Sequence, residues 1–116
     1  MQDRITLGLT EKITLIGKNN KHKEVIARVD TGATGSSLDS AVAEELGLGP
    51  ILKHKTIRSA SGTKTRPVIH VTIEMHGRVL QEEFTIIDRA HMKYTTLIGQ
   101  DILKKERFLI DPLKKI

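Results

Sequence analysis

Between Val68 and Ile87 the chain reads "VIHVTIEMHGRVLQEEFTII", two long runs of strand-forming residues that meet near His76-Gly77. A glycine-bearing dipeptide between two such runs is a hairpin signal. In a chain of 116 residues, a hairpin of this length commits most of the fold to β-pairing. Other segments agree. "ITLIG" (Ile13–Gly17) reads as a short strand followed by a polar turn. Val25, Ile26, Ala27 and Val29 make Glu24–Asp30 read as a strand buried on both faces. Ser61-Gly62 marks a turn inside "KHKTIRSASGTKTR", whose flanks can pair as a second hairpin. Asp39–Gly49 is the clearest helix, with Asp39 as N-cap and Gly47 suited to the C-terminal left-handed position. "RAHMKY" is a loop, a short helix follows Gly99, and Arg107–Pro112 reads as a last strand stopped by proline. The predicted fold class is all-β with one or two short helices, a small, partly closed barrel. Residues 1–116 make a single domain by length. The first ten and last four residues are expected to fray or to pair with a partner chain.

Composition narrows the function. There is no cysteine, hence no disulfide and no thiolate metal site. There is no long apolar run and no basic-then-apolar N-terminal pattern, so no membrane partner is expected and a cytoplasmic location is. Nineteen Lys+Arg against fourteen Asp+Glu give a net charge of +5, which suits an acidic peptide, a nucleic acid or mere solubility. Phe84, Phe108 and Tyr94 are the only aromatics. Stacking on single-stranded nucleic acid is therefore poorly supported, and a solvated rim accounts better for the basic run than phosphate binding does. A nucleic-acid domain would lose affinity steeply with salt.

The chemistry concentrates in "ARVDTGATGSSLDS", Ala27–Ser40. Asp30 ends an apolar strand and small residues fill the turn after it. A carboxylate so placed is rigidly held and partly desolvated. Gly32 admits another group close to the backbone, and the Thr31 hydroxyl can bond neighbouring backbone and fix the loop. Taken alone, Asp-Thr-Gly fits a turn as well as an active site.

"VDTGAT" (Val29–Thr34) resembles the active-site signature of aspartic proteases, and "TLIGQDIL" (Thr96–Leu103) resembles the second signature of retroviral-type proteases. Residues of roughly 10 to 112 are similar to a retropepsin-like subunit. A closer resemblance is to a prokaryotic group labelled "ATP-dependent zinc protease" and associated with ATP-grasp peptide ligases. It is carried by Arg28–Leu38, Arg66-Pro67-Val68, Asp88-Arg89 with Met92, Leu97-Ile98-Gly99 and Phe108–Pro112. The resemblance implies a retropepsin-like barrel acting as a homodimer, because the chemistry needs two carboxylates and this chain offers one Asp-Thr-Gly. Catalytic roles then fall on Asp30, Thr31 and Gly32. Substrate-binding roles fall on Ala33 and Thr34, on the flap residues Ser59, Ala60, Ser61 and Gly62, and on Ile98. Leu97 and Gly99 support the loop from below. The implied activity is peptide-bond hydrolysis by a water held between two Asp30 carboxylates. Lys53, His54, Lys55, Arg58, Lys64 and Arg66 flank the flap and favour acidic, glutamate-rich peptides. A dimeric peptide-binding or assembly module without hydrolysis is the alternative.

Retroviral relatives pair an Asp and an Arg where this chain has Thr34 and Gln100, so a neutral hydrogen bond is expected in place of that ion pair. Asp88 is expected in a loop salt bridge with Arg89, Asp101 as cap of the helix after Gly99, and Asp111 at a strand end. His22, His54, His70, His76 and His91 are scattered and form no short-range ligand pair, so no metal and no other cofactor is expected.

Overall fold

The computed structural model describes residues 3–116, apart from the side chain of Ser59. In chain order the elements are β1 (Thr6–Leu7), β2 (Thr10–Ile16), β3 (His22–Val29), β4 (Ser36–Asp39), α1 (Ser40–Glu45), β5 (Lys53–Ser59), β6 (Gly62–Met75), β7 (Arg78–Ile87), β8 (Thr96–Ile98), α2 (Gln100–Lys105) and β9 (Leu109–Ile110). The main sheet has the order β2-β3-β8-β4-β7-β6-β5, and β6 returns to pair with β2. Every strand of it except β5 therefore lies in a closed ring, as the barrel expectation required. The length of β6, 14 residues, makes this possible. Its second half pairs with β7 and β2, while its first half leaves the ring as a hairpin with β5.

Local chemistry explains the turns. Met75 pairs with Arg78, and His76 and Gly77 between them have φ of 52° and 76°, the two positive values that match a tight turn to strand twist. Asp39 caps α1 by accepting from the Val42 N–H. The helix is shorter than Asp39–Gly49: it stops at Glu45, and Gly47 at φ 65° turns the chain away. The second hairpin turns at Ala60-Ser61, with Ser59 paired to Gly62.

Leu15, Leu38, Val71, Ile73, Phe84 and Ile98 are fully buried inside the ring, each contributing about 1.5–3 kcal/mol of burial. β3 corrects the sequence reading. It is buried on one face only, through Ala27 and Val29, while Ile26 and Arg28 face outward. A ring strand has an inner and an outer side, so even an apolar run alternates. The last strand also shrinks, to Leu109–Ile110, and pairs in parallel with Thr6–Leu7 of the same chain. Among the described residues, no helix is long and apolar enough to cross a membrane.

The terminal layer is anchored by Glu11, which is 2% exposed. Its carboxylate accepts from the Gly8 N–H at 2.6 Å, from His76 Nε2 at 2.7 Å and from Lys114 Nζ at 2.9 Å. Burial pushes its pKa up. The hydrogen bonds from Gly8, Lys114 and His76 and the Lys114 charge outweigh this and hold it below the ordinary value of 4.5. Lys114 also donates to the Thr6 carbonyl, so part of both termini is fixed within one chain. Glu11→Ala is expected to cost about 2–3 kcal/mol, less than a fully buried pair loses because His76 and Lys114 remain partly wet. In the parent this stabilisation is fully present above pH 4.5 and is lost as pH falls through the lower native value. Urea unfolding against pH checks it: Glu11→Gln loses that part of the acid dependence.

Candidate active site

β3 delivers Asp30 to the end of the barrel, and β8 fixes it there. Val29 pairs with Ile98, and the Asp30 N–H donates to the Ile98 carbonyl at 2.9 Å. Asp30 is half-buried. Its Oδ1 accepts the Gly32 N–H at 2.9 Å, which orients the carboxyl, and its backbone carbonyl accepts the Ala33 N–H. Thr31, Gly32 and Thr34 are exposed beside it.

The loop is braced from α2 and not by Thr31. Gln100 donates its backbone N–H to the Ala33 carbonyl at 2.8 Å and its side-chain amide to the Thr31 carbonyl at 2.7 Å. The neutral bond of Gln100 therefore goes to Thr31, not to Thr34. The Thr31 hydroxyl makes no hydrogen bond among the described residues. Gly99 is obligatory for steric reasons. A Cβ there would lie 2.5 Å from the Gly35 carbonyl oxygen and 2.9 Å from that of Ala33. Its N–H donates to Ser36 Oγ at 3.0 Å. Ser36 in turn donates its hydroxyl to Asp101 Oδ1 at 2.7 Å and its N–H to Asp101 Oδ2 at 3.1 Å.

Several sequence expectations change. Asp101 lies in the first turn of α2, two residues past the cap residue Gly99, which makes no side-chain bond. Its Oδ1 accepts the Ile102 N–H at 2.8 Å, so it does satisfy a helix-start donor. It also bonds the start of β4. Asp88 forms no salt bridge with Arg89: it accepts the Ala90 N–H. Arg89 turns inward, 7% exposed, with Nε on the Tyr94 carbonyl and Nη1 on Ser37 Oγ, while Asp39 Oδ1 accepts its backbone N–H. Burial lowers the Arg89 pKa and the Arg28 charge lowers it further, against the opposing pull of Asp39 and Asp30. Asp111 does sit just past a strand, accepting from the Leu113 N–H.

A cleft of about 400 Å³ opens beside the loop, lined by Gly32 to Ser37, by Lys55, Thr56 and Ile57 of the β5–β6 hairpin, and by Thr85, Ile87 and Leu97. Ala33 and Thr34 line it, and Gly62 and its neighbours at the hairpin tip do not in a single chain. Ile98, expected to touch substrate, is fully buried; Leu97, expected below, lines the cleft. Alternation along β8 explains the exchange, and it was the signal available in the sequence. Lys55 was legible as one of the basic residues flanking the flap, whereas Thr85, Ile87 and Ser37 had no signal, because only the tertiary pairing of β7 and β4 gathers them. Lys53 is paired with Glu83 at 2.9 Å. Lys55 stands opposite Arg66 in the hairpin register, and like charges so placed repel. Among the described residues, no group of three or more His, Cys, Asp or Glu is placed to hold a metal.

The fold and the Asp-Thr-Gly loop define the retropepsin-like class of aspartic proteases. A solved structure of a protein of unknown function from Legionella pneumophila superposes with a TM-score of 0.69 at 23% identity, covering 98% of each chain. EIAV protease in complex with an inhibitor gives 0.65 at 23% identity, over 90% of this chain and 93% of the other. A retropepsin-like aspartic protease from Rickettsia conorii gives 0.56 at 18% identity, over 83% and 82%. At these identities the likeness speaks for the fold. No curated protein matches. The RimB-like family model, described as retropepsin-like aspartic endopeptidase RimB, matches residues 43–116, and the chain belongs to that family. Asp30 lies outside the matched span.

Replacing Gly99 with Ala is expected to destabilise the protein by about 2–3 kcal/mol, because the new methyl meets backbone that cannot step aside. Thermal unfolding checks this. A variant as stable as the parent contradicts the close approach of Gly99 to Gly35.

Proposed function

We propose that the protein is an aspartic endopeptidase that works as a homodimer, each chain supplying one Asp30. The observation that carries this reading is the Asp30 carboxyl itself. One oxygen is pinned by Gly32, the other has no hydrogen-bond partner among the described residues, and Gly32, two residues on, lines an open cleft. Two such groups across a two-fold axis hold one water between them. One carboxylate takes a proton from that water as its oxygen attacks the peptide carbonyl. The other, protonated, gives its proton to the carbonyl oxygen, forming a neutral gem-diol. As the diol collapses, one of its hydroxyls returns a proton to the second carboxylate, the C–N bond breaks, and the amine leaves with the proton held by the first carboxyl, which restores the dyad. Two like charges so close cannot both stay ionised, which is why one proton is shared.

Gln100 and Gly99 keep the loop in place during this cycle, and the β5–β6 hairpin serves as the flap that excludes water. Its cations, with Lys55 and Arg66 side by side and Lys55 at the cleft, support acidic peptides as substrates. A glutamate-rich tail such as an ATP-grasp ligase adds fits that charge, in line with the prokaryotic "ATP-dependent zinc protease" resemblance and a cytoplasmic location. The zinc in that label does not suit the donor set described above, and no step runs through a metal.

Asp30→Asn tests the reading, since the amide keeps an oxygen for the Gly32 N–H. Turnover of a glutamate oligopeptide should fall by about 10³-fold or more with the melting temperature nearly unchanged and peptide binding retained. Undiminished turnover contradicts the reading. Binding without any hydrolysis by the parent favours the non-catalytic module. For the substrate class, Lys55→Glu should slow cleavage of the glutamate peptide about tenfold and spare a neutral one, with the parent's preference fading as salt rises. Equal rates on both peptides at low salt remove the acidic preference.

A further inference from the structure

The loop between β7 and β8 is held by a charge that the protein buries without an ion pair. The Arg89 guanidinium lies among the Tyr94 carbonyl and Ser37 Oγ, at 2.9 and 3.2 Å, and no carboxylate reaches ion-pair distance among the described residues. Burying a cation in this way is expensive. A neutral donor would tie a loop to a strand at lower desolvation cost, so the tie alone does not account for an arginine. Its place in the fold does. Ser37 lines the cleft, and Ile87 and Leu97, which also line it, flank the loop on its two sides. The Asp39 and Asp30 carboxylates attract the guanidinium from a distance and Arg28 repels it. The rigid planar fork of arginine fixes two bond directions at once, one to the loop and one to the cleft floor.

We propose that Arg89 is the positioning residue of the cleft wall, anchoring Ser37 to the loop 88–95 so that Ser37 is set where the cleft receives the peptide near the Asp30 loop. This rests on the protease reading above and adds to it a determinant of substrate affinity that touches neither substrate nor water.

The test compares the full chain with Arg89→Met, Arg89→Lys and Ser37→Ala, using a glutamate oligopeptide as probe and recording kcat, KM and melting temperature. Arg89→Met should raise KM about tenfold or more while kcat changes less than about threefold. Arg89→Lys, which keeps the charge and loses the fork, should recover only part of that loss. Ser37→Ala should raise KM a few-fold with the melting temperature held. If Arg89→Met does not fold, the other two variants decide. Unchanged KM in variants that only melt earlier makes Arg89 a structural strut and overturns the inference. Asp30-dependent cleavage that is indifferent to Arg89 and Ser37 sinks the inference alone. If the parent binds the peptide without cleaving it, the hydrolysis reading falls and Kd replaces KM in the same comparison. A parent that neither binds nor cleaves it overturns both.

Discussion

Everything at the cleft hangs on the passage of β8 between β3 and β4. Backbone from two parts of the chain crosses at Gly99 and Gly35 with no room for a side chain on Gly99. The contact is made adhesive on both sides. Ser36 and Asp101 close it toward β4, and Gln100 closes it toward the Asp30 loop. The Asp30 carboxyl therefore inherits its direction from a packing constraint within the barrel, and its loop needs no rigid residues of its own. Small, flexible side chains can occupy residues 31 to 37 because the geometry is imposed from α2.

Charges inside the molecule follow a different rule from those outside. Glu11, Asp39 and Arg89 are each nearly buried, and each holds together segments distant in sequence. Asp39 joins the start of α1 to the loop after β7. Glu11 joins both termini to the β6–β7 turn. The exposed pairs, such as Lys12 with Glu24, contribute little in water. The cations on the β5–β6 hairpin form a third class. Lys53 pairs with Glu83 and Arg66 is half-buried, and opposite register places Lys55 against Arg66. Like charges so placed repel and weaken the hairpin.

The sequence made the local features readable where one residue type has one reason to be there. His76-Gly77 announced its turn, Asp39 its cap and Gly47 its left-handed exit, because each acts within a few residues of itself. The Asp30 loop and its Leu97-Ile98-Gly99 support were legible as motifs. What was harder to read was direction. Alternation shows that Leu97 and Ile98 face opposite ways, but which of them faces the ring depends on how β8 is seated between β3 and β4. Asp101 and Arg89 were assigned to near neighbours only; each keeps one, Ile102 and Tyr94, and adds a partner far away in sequence on β4, Ser36 and Ser37. The double-sided burial assigned to β3 failed for a similar reason, since closure of the ring through β6 and β2 gives each strand an outside.

The central claim is that two copies of this chain bring their Asp30 carboxyls together. A crystal structure of the assembled protein measures it directly, through the distance between the two Asp30 side chains. The account predicts a two-fold dimer with carboxyl oxygens about 3 Å apart and a water between them. Hydrolysis by a protein that stays monomeric, or a dimer whose aspartates lie far apart, would contradict it.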